Sequence, residues 1–332
     1  MGLNVRKLGA GGPDVSEIGL GCMSFAGFYG PADEKGSLRT LARAIELGIT
    51  FFDTANVYGA GSNEELLGKF LKGRSERIVL ATKGGIVRAP GSRERRLDNS
   101  PAYLVSALEE SLRRLGRDHV DLYYIHRREK GRPIEEAVEA LAKCVKAGKI
   151  GGIGLSEMAP DTLRRAHAVH PIRAVQSEYS LWTRAPDLGM IGACKDLGVA
   201  FVAFGVLGRA FLTGRLTDPR TLPDNDFRKA NPRFTEPNFS RNRQALARFE
   251  TLAREKGTSP AALAVAWVMA QGEHVIPIPG TRRADHLEED VAGAALKLSR
   301  DDLAAIEHAL PRGFAAGDRY TEAQYDGVER YG

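Results

Sequence analysis

The stretch Thr50-Phe51-Phe52-Asp53-Thr54-Ala55-Asn56-Val57-Tyr58-Gly59 decides how the rest of the chain is interpreted. In it a short apolar, β-prone run ends on a carboxylate, a phenol follows within one loop, and Ser62 then opens a helical pattern. This order predicts a strand, a functional loop and a helix. An aspartate in this place could equally cap a helix or be satisfied within a core, so the choice depends on later strands.

Two later β-prone runs also end on polar side chains, one on Lys83 and the other on His126. The C-terminal ends of parallel strands meet at one mouth of an α/β barrel, where such barrels place their catalytic groups. We therefore expect Lys83 and His126 to lie beside Asp53 and Tyr58. Taken singly, Lys83 could pair with a core carboxylate and His126 could be a satisfied core histidine, but the four together favour a catalytic group.

Short β-prone runs alternate with helical patterns along most of the chain, which is typical of a parallel sheet. About eight such units predict an α/β fold, a (β/α)8 TIM barrel. Turn signals between residues 6 and 18 predict an N-terminal β-hairpin, and helical patterns after residue 240 predict extra helices near the C-terminus. Residues 206–240 break the alternation and have the length of a binding loop or lid. No linker divides the chain, so we expect residues 1–332 to form a single domain.

The predicted element bounds follow from apolar periodicity and capping signals. The strands are residues 18–21, 50–53, 78–82, 120–125, 150–156, 174–178, 200–204 and 275–278. The helices are residues 33–47, 63–71, 100–115, 134–147, 160–168, 188–197, 241–256, 260–271, 283–292 and 299–310.

The composition and charge of the chain indicate which kinds of binding partner are to be expected. The 332 residues carry a net charge of +5, spread along the chain except for an arginine-rich loop at residues 93–96. Because that loop lacks interleaved aromatic residues, a solvated loop is favoured over a nucleic-acid site. No run approaches the roughly 20 apolar residues that a membrane span needs, and the N-terminus has no signal-like apolar stretch. We expect a cytoplasmic protein that binds neither nucleic acid nor membrane.

The three cysteines, Cys22, Cys144 and Cys194, have no metal-ligand spacing. Three thiols cannot all pair within one chain, which suits a reducing compartment. No metal is expected.

Three motifs carry a resemblance to a known family. They are F-D-T-A-x-x-Y-G at residues 52–59, T-K-G-G at 82–85 and Y-Y-I-H-R at 123–127, and together they resemble the aldo-keto reductase superfamily. Further matching segments lie at residues 152–156, 176–179, 207–214 and 278–282, so the resemblance covers nearly the whole chain. It implies an NADP-dependent TIM-barrel oxidoreductase that reduces an aldehyde or ketone to the alcohol, reversibly.

The chemistry of the four strand-end side chains agrees with that reaction. A phenol has a pKa of about 10, so Tyr58 is a slow acid at neutral pH unless its phenolate is stabilised, as the Lys83 ammonium would do. Asp53 would hold Lys83 charged and oriented, and His126 would orient the carbonyl. No side chain supplies a hydride, which must come from a cofactor.

The resemblance implies NADPH as cofactor, with NAD less favoured, bound across the C-terminal face of the barrel without a Rossmann fold. In agreement, no Gly-x-Gly-x-x-Gly stands between a strand and a helix. The residues it assigns to the cofactor are Ser156 and Gln176 for the carboxamide, Phe204 for the nicotinamide ring, Gly205, Leu207 and Gly208 for the pyrophosphate, and Gly280, Thr281, Arg282, His286, Glu289 and Asp290 for the adenosine end.

Three of these positions depart from the family's pattern. Gly205 stands where a serine usually contacts the pyrophosphate, His286 where a phosphate-binding arginine often lies, and Asp290 where an asparagine often contacts adenine. They leave the strength of the preference for NADPH over NADH open. Arg282 and Arg283 are the cations that could compensate.

Two other functions stay open. A Schiff-base lyase could use a deprotonated Lys83, although Asp53 would keep that amine protonated. A cofactor-sensing binding subunit, like the related potassium-channel β subunits, would hold the nucleotide with little turnover. The expected partner is a small carbonyl substrate, bound by the loops after the first and fourth strands, residues 206–240 and the tail after Gly313. The residues indicate neither which substrate nor which oligomeric state.

Overall fold

The structure, a computed structural model, describes residues 2–88, 95–224 and 226–331. Within these residues the strands are β1 (Val5–Lys7), β2 (Asp14–Ser16), β3 (Leu20–Gly21), β4 (Phe51–Asp53), β5 (Val79–Gly84), β6 (Ile86–Val87), β7 (Arg96–Leu97), β8 (Leu122–Ile125), β9 (Ile153–Ser156), β10 (Ile172–Glu178), β11 (Ala200–Phe204) and β12 (Val275–Pro277). The helices are α1 (Glu34–Glu46), α2 (Ser62–Leu71), α3 (Pro101–Leu115), α4 (Ile134–Lys146), α5 (Pro160–Val169), α6 (Met190–Asp196), α7 (Asn238–Glu255), α8 (Pro260–Met269), α9 (Ala284–Ala292) and α10 (Arg300–Ala309).

Eight strands form one parallel sheet in the order β3, β4, β5, β8, β9, β10, β11, β12. Backbone hydrogen bonds join its two edges: the Gly19 N–H donates to Pro277 O at 2.9 Å, and the Gly21 N–H donates to Pro279 O at 3.0 Å. Helices alternate with the strands along the chain. The predicted TIM barrel with its N-terminal hairpin and additional C-terminal helices is therefore confirmed.

Side chains fill the inside of the barrel, because alternate residues of each strand point inward. Phe51, Ala81, Tyr124 and Val202 belong to this inner core. A second, larger apolar core lies between the sheet and the surrounding helices. The inner core ends below the C-terminal mouth, where the inward positions become polar.

The N-terminal hairpin β1–β2 closes the other end of the barrel. Leu8 and Val15 are fully buried and pack with the inner core. Arg6 donates to Gly272 O at 2.8 Å, just before β12 begins, and the Ala10 N–H donates to Gly198 O at 2.7 Å, just before β11 begins. The hairpin therefore leaves the C-terminal mouth as the open end.

Helix α3 shows how local sequence sets an element. The Ser100 side chain accepts a hydrogen bond from Tyr103 N at 3.3 Å, Pro101 occupies the first turn, and Gly116 ends the helix with a left-handed φ of 61°. Leu104 and Leu108 are fully buried on the face toward the sheet. The capping and the apolar spacing were both evident in the sequence.

All eight predicted strands and all ten predicted helices are present, with ends shifted by a few residues. The expectation that Lys83 stands just past its strand is wrong, because β5 runs on through Lys83, which pairs with Tyr124 of β8. Strand β8 continues to pair with β5 at this position. The β-prone run of β5 taken alone did not indicate that pairing.

The polar loop after β5 also differs from the expectation, since β6 and β7 form an antiparallel pair within it. Residues 93–96 were expected to form a solvated loop. Residues 93 and 94 lie outside the described part of the chain, so the structure bears on this expectation only at Arg95 and Arg96. Residues 206–237 contain short 3-10 turns in place of a βα unit. Among the described residues, no helix combines the length and apolar composition needed to cross a bilayer.

Candidate active site

The polar layer at the C-terminal mouth follows from strand alternation. Asp53, Lys83, His126 and Gln176 each lie two positions beyond a side chain of the inner core. Because side chains repeat with a period of two, all four point to the same side of their strands as the core residue below them. Phe204 takes the equivalent place on β11 and packs partly against that core.

Lys83 and Asp53 form a buried ion pair. Lys83 is fully buried, and its Nζ donates to Asp53 Oδ1 and, at 2.7 Å, to Thr54 O. Gln176 Nε2 donates to the second carboxylate oxygen of Asp53 at 2.8 Å. Asp53 therefore accepts from an N–H group on each oxygen, and Gln176 links β10 to this pair.

Burial and ion pairing have opposite effects on the pKa values of Lys83 and Asp53. Burial lowers the pKa of Lys83, but the charges of Asp53 and Tyr58 outweigh burial and hold that pKa above its ordinary value. Burial also raises the pKa of Asp53, opposed by Lys83 and Gln176. Because both oxygens of Asp53 are occupied by donors, we take the pair as ammonium and carboxylate.

Tyr58 lies in the loop after β4 and is partly exposed. Lys83 Nζ is 5.2 Å from the centre of its ring, and the ring of His126 meets it edge-on with centroids 5.9 Å apart. Burial raises the pKa of the Tyr58 phenol above its ordinary value, and Lys83 is the largest opposing influence. The four predicted side chains are therefore together, although in this structure burial outweighs the expected effect of Lys83 on the phenol.

His126 is buried directly after β8, and its Nδ1 atom has no hydrogen-bond partner among the described residues. Burial, reinforced by the charges of Arg127, Lys83 and Arg95, holds the pKa of His126 well below its ordinary value. The imidazole is therefore neutral at physiological pH and can act as a hydrogen-bond donor without carrying charge.

The residues assigned to the nicotinamide end lie on three neighbouring strands. Ser156 ends β9 and pairs with Gln176 of β10, while Phe204 ends β11. The Ser156 hydroxyl accepts from Arg127 at 3.0 Å, and the Gln176 amide donates to Asp53. These side chains thus already have protein partners, and one of those partners, Arg127, was not predicted.

The loop assigned to the pyrophosphate begins with left-handed turns. Gly205 and Gly208 have φ values of 65° and 56°, and the next residue, Arg209, is also left-handed at 58°. A Cβ on Gly208 would lie 2.7 Å from Trp182, so the tight packing requires glycine there. Leu207 packs against the outer core. Trp182 itself is almost fully buried against Phe211.

The residues assigned to the adenosine phosphate are placed after β12. Gly280 packs so closely on Gly21 that a Cβ would lie 2.8 Å from Gly21 O. The Thr281 hydroxyl accepts from Arg283 N at 3.2 Å. Arg282 is engaged by carbonyls of the loop after β3, donating to Gly30 O at 2.9 Å. The Arg282 guanidinium, which was expected to bind a phosphate, thus donates hydrogen bonds to this loop instead.

Three assigned residues lie on α9. His286 is half-buried, and burial together with the charge of Arg215 lowers its pKa. Glu289 forms an ion pair with Arg215, which follows the pyrophosphate loop. Asp290 is almost fully buried, and its Oδ2 atom has no partner in the described part of the chain. Burial, helped by the charge of Glu289, raises its pKa well above the ordinary range.

These residues fit a nicotinamide dinucleotide. Asp290 has a polar atom that is unsatisfied within the described residues, and the approach between β3 and β12 is lined by Gly21 and Gly280. Arg282 and Arg283 lie just before α9, where Arg282 donates to backbone carbonyls and Arg283 pairs with Asp285. The described residues hold no group of three or more His, Cys, Asp or Glu side chains placed to bind a metal.

Sequence reasoning missed an ionic network that lies over the same mouth. Arg209 donates to Glu178 Oε2 at 2.8 Å, and Arg319 of the C-terminal tail pairs with both Glu157 and Glu178. Tyr320 packs under the Arg209 guanidinium, 4.8 Å from its carbon. Arg209 stands in a quoted motif, but nothing in the sequence indicated that the tail would reach it.

A closed parallel barrel with an ion pair, a phenol and an imidazole gathered at its C-terminal mouth defines an α/β-barrel enzyme. A sequence model described as "Aldo/keto reductase family" matches residues 17–311. The chain belongs to the aldo/keto reductase family. It is therefore an oxidoreductase that acts on CH–OH and carbonyl groups of small molecules, in a family that uses nicotinamide cofactors.

Curated relatives match over nearly their full length. "Probable aldo-keto reductase 1" of Glycine max is 45% identical over 327 residues, which are 98% of this chain and 93% of that protein. "Aldo-keto reductase yakc [NADP(+)]" of Schizosaccharomyces pombe is 42% identical over 325 residues, 96% of this chain and 95% of that protein.

Solved structures share the architecture. The glycerol dehydrogenase AKR11B4 from Gluconobacter oxydans superposes with a TM-score of 0.86 at 29% identity, over 94% of this chain and 96% of that one. The aldo-keto reductase AKR11C1 from Bacillus halodurans, in its holo form, gives a TM-score of 0.77 at 28% identity, over 96% of this chain and 99% of that one.

Proposed function

We propose that this chain, acting as one domain of residues 1–332, catalyses the reversible NADPH-dependent reduction of a small aldehyde or ketone to the alcohol. The observation that supports this most is the convergence of four side chains. Lys83 is bonded to Asp53 and lies 5.2 Å from the ring of Tyr58, whose ring meets that of His126. A phenol, its cationic neighbour and a neutral imidazole are the groups that carbonyl reduction requires of a protein.

Tyr58 donates the proton to the oxygen of the reduced carbonyl. Lys83 is held as an ammonium by Asp53 and Thr54 O, so the phenolate left by that transfer forms beside a fixed positive charge. His126 is neutral and donates a hydrogen bond that orients the carbonyl oxygen toward Tyr58. When bound, the nicotinamide cofactor supplies the hydride.

Ser156 and Gln176 would hold the carboxamide of that cofactor, and Phe204 would face its ring. Gly205, Leu207 and Gly208 would line the pyrophosphate. The adenosine end would rest on Gly280, Thr281, Arg282, His286, Glu289 and Asp290. The NADP(+) in the name of the fission-yeast relative supports the preference for NADPH.

The contacts of Lys83 disfavour the lyase alternative. A Schiff base needs a free, uncharged amine, whereas Lys83 is fully buried and donates to a carboxylate and a carbonyl. We therefore do not propose Lys83 as a nucleophile. The binding-subunit alternative differs from a reductase in one measurable property: a binding subunit would hold NADPH without oxidising it in the presence of a carbonyl substrate.

The test is cofactor oxidation with a panel of aldehydes, ketones and sugars, using NADPH and NADH in parallel. Tyr58→Phe removes the proton donor and is expected to lower kcat for reduction roughly 10²- to 10⁴-fold, with cofactor affinity little changed. Tyr103→Phe is the matched control, because the Tyr103 hydroxyl accepts from Asn56, in the same loop as Tyr58, but donates to Ile86 O at 3.1 Å. Undiminished reduction by Tyr58→Phe would exclude Tyr58 as the acid, and tight NADPH binding without turnover across the panel would favour the binding subunit.

A further inference from the structure

Two guanidinium groups lie beside the proposed catalytic side chains, on the side covered by the C-terminal tail. Arg127 directly follows His126, and its Nη1 atom donates to His126 O at 2.7 Å and to Ser156 Oγ at 3.0 Å. Arg95 precedes β7, and its Nη2 atom donates to the tail carbonyls of Gln324 at 2.9 Å and Asp326 at 3.2 Å. We refer to Arg95 and Arg127 as the arginine pair.

The tail brings the arginine pair to the same place. A Cβ on Gly327 would lie 2.9 Å from Cβ of Arg127, so the tail backbone packs directly on that residue. The Arg128 N–H fixes this approach by donating to Gly327 O at 2.9 Å. Arg95 binds the turn just before Gly327. Both arginines therefore contact the same turn of the tail, residues 324–327, and the guanidinium of Arg127 reaches the backbone of His126.

In the described part of the chain neither charge is paired with a carboxylate, and the carboxylate of Asp326 acts on Arg95 only from a distance. Among the described residues, neither member of the arginine pair forms an ion pair, and their hydrogen-bond partners are carbonyls and a hydroxyl. Arg127 Nε is buried without any partner in the described part of the chain. The other arginines of this mouth differ, since Arg209 pairs with Glu178 and Arg319 pairs with Glu157.

The two charges act on each other and on the catalytic side chains. Burial and then the charge of Arg127 lower the pKa of Arg95, which the charge of Asp326 only partly opposes, and both arginines help to lower the pKa of His126. Holding two partly buried cations together without an ion-pair partner is unfavourable. An anion from solution would relieve that cost, and a planar guanidinium suits a carboxylate or phosphate in particular.

We propose that Arg95 and Arg127 form a substrate subsite for an anionic group, so that the preferred substrates are aldehydes or ketones that also carry a carboxylate or a phosphate. This inference rests on the proposed reductase function, because Ser156, the partner of Arg127, is assigned to the nicotinamide end. The anion would lie on the tail side of His126. The cofactor phosphates are assigned to the loop after β11 and to α9, and among the described residues the arginine pair donates to neither of these elements.

The experiment compares pairs of related aldehydes in which one member is anionic and the other is neutral. We expect kcat/KM with NADPH to be roughly 10- to 100-fold higher for 4-carboxybenzaldehyde than for methyl 4-formylbenzoate, since hydrogen bonds to charged groups have that strength. Glyceraldehyde 3-phosphate against glyceraldehyde is the second pair and tells whether phosphate or carboxylate fits better. Equal rates within both pairs would overturn the proposal.

Arg127→Met is expected to reduce the preference for the charged aldehyde at least tenfold, mainly through KM, and Arg95→Met to reduce it in the same direction. Arg330→Met is the matched control: it removes the same charge from the tail, but Arg330 is exposed and paired with Glu322. If Arg330→Met lowers the preference as much as Arg127→Met, the effect is general electrostatics and the subsite is wrong. A changed pH profile for the neutral aldehyde with an unchanged preference would show that Arg127 acts on Tyr58 instead, and would also overturn the proposal.

A binding measurement separates failure of the subsite from failure of the reductase. The alcohols 4-carboxybenzyl alcohol and methyl 4-(hydroxymethyl)benzoate are titrated calorimetrically into the NADP-loaded wild type and Arg127→Met. We expect the acid to bind at least tenfold more tightly to the wild type and to lose that advantage in the variant, whether or not turnover is seen. Equal affinities in the wild type would remove the subsite even if the protein reduces aldehydes.

Discussion

A buried ammonium is stable only where acceptors replace water, and Lys83 has them on two sides, from Asp53 and from Thr54 O. Asp53 is in turn held by Gln176. The positive charge beside Tyr58 is therefore fixed in position before any substrate arrives. Fixed charge of this kind is more effective than mobile charge, because nothing has to reorganise during proton transfer.

Asp290 is a buried carboxyl group whose Oδ2 atom has no hydrogen-bond partner among the described residues, and it allows the effect of burial on ionisation to be tested. Its folded-state pKa is raised, so the stability it contributes is complete below the ordinary aspartate pKa of about 4 and is lost as pH rises through the folded pKa. Asp290→Asn keeps the shape and removes the ionisation. We expect the variant to gain on the order of 1–3 kcal/mol in unfolding free energy at pH 8 and almost nothing at pH 4.

The measurement is denaturant unfolding of the cofactor-free protein at both pH values. Asp285→Asn is the matched control on the same helix: hydrogen bonding to Arg283 lowers the pKa of Asp285, and that carboxylate is exposed. No gain at pH 8 is expected for the control. A gain for Asp290→Asn that is equal at the two pH values would mean that ionisation is not its cause.

At the scale of elements, the C-terminal tail is attached to helix α5. Ala159, at the start of this helix, has no side chain that can cap it. The Glu329 carboxylate takes that role, accepting from Ala159 N at 2.7 Å and from the Thr162 hydroxyl at 3.0 Å. A residue far along the chain therefore completes the helix, and the helix holds the tail over the mouth.

Glu329→Ala is expected to release the tail. Loss of about 1–2 kcal/mol of local stability would raise the rate of proteolytic cleavage within residues 313–331 roughly 5- to 30-fold, with global unfolding little changed. Limited proteolysis followed by mass spectrometry measures it. Glu322→Ala is the control, because Glu322 lies in the same tail but is exposed, and its ion-pair partner in the described part of the chain is Arg330. Equal cleavage rates in the two variants would contradict the capping role.

Elements were predictable from the sequence where local pattern decides them. The leucines of α3 and the apolar runs of the barrel strands repeat with the period of their structure, so element type and approximate ends followed. The end of β5 did not, because its last residues are held by pairing of Lys83 with Tyr124 on another strand. Long-range partners of this kind leave no local signal.

Contacts between residues far apart in sequence also limited what could be predicted about the site. Asp53, Tyr58, Lys83 and His126 stand in motifs at strand ends, and the structure brings them together. The partners of Arg282, by contrast, are carbonyls some 250 residues away in sequence, as the bond to Gly30 O shows. Such contacts depend on loop conformations that the residue pattern does not encode.

At the scale of the whole molecule, the barrel depends on the seam between β3 and β12. Gly21 has an ordinary extended backbone, with φ −78° and ψ 115°, so its role is steric and not conformational. A Cβ there would lie 2.9 Å from Ile278 O. The absence of a side chain at Gly21, as at Gly280, therefore allows the first and last strands of the barrel to approach each other.

Gly21→Ala is therefore expected to lower the unfolding free energy by roughly 1–3 kcal/mol, the usual cost of overpacking. Gly192→Ala in α6 is the control, since no neighbouring atom lies within 4 Å of the added Cβ and a helical alanine is favoured by about 0.5–1 kcal/mol over glycine. Chemical denaturation of the three proteins compares them. A seam variant as stable as the wild type would show that the barrel edges can separate without loss.

The attachment of the tail to α5 also has a practical side. Val328 is almost fully buried and Tyr331 packs against the outer core. A purification handle or fluorescent fusion attached after Tyr331 would therefore disturb the packing of the tail at the C-terminal mouth. A handle placed ahead of the hairpin would sit at the far end of the cylinder. Kinetic comparisons between preparations should therefore use proteins labelled at the hairpin end.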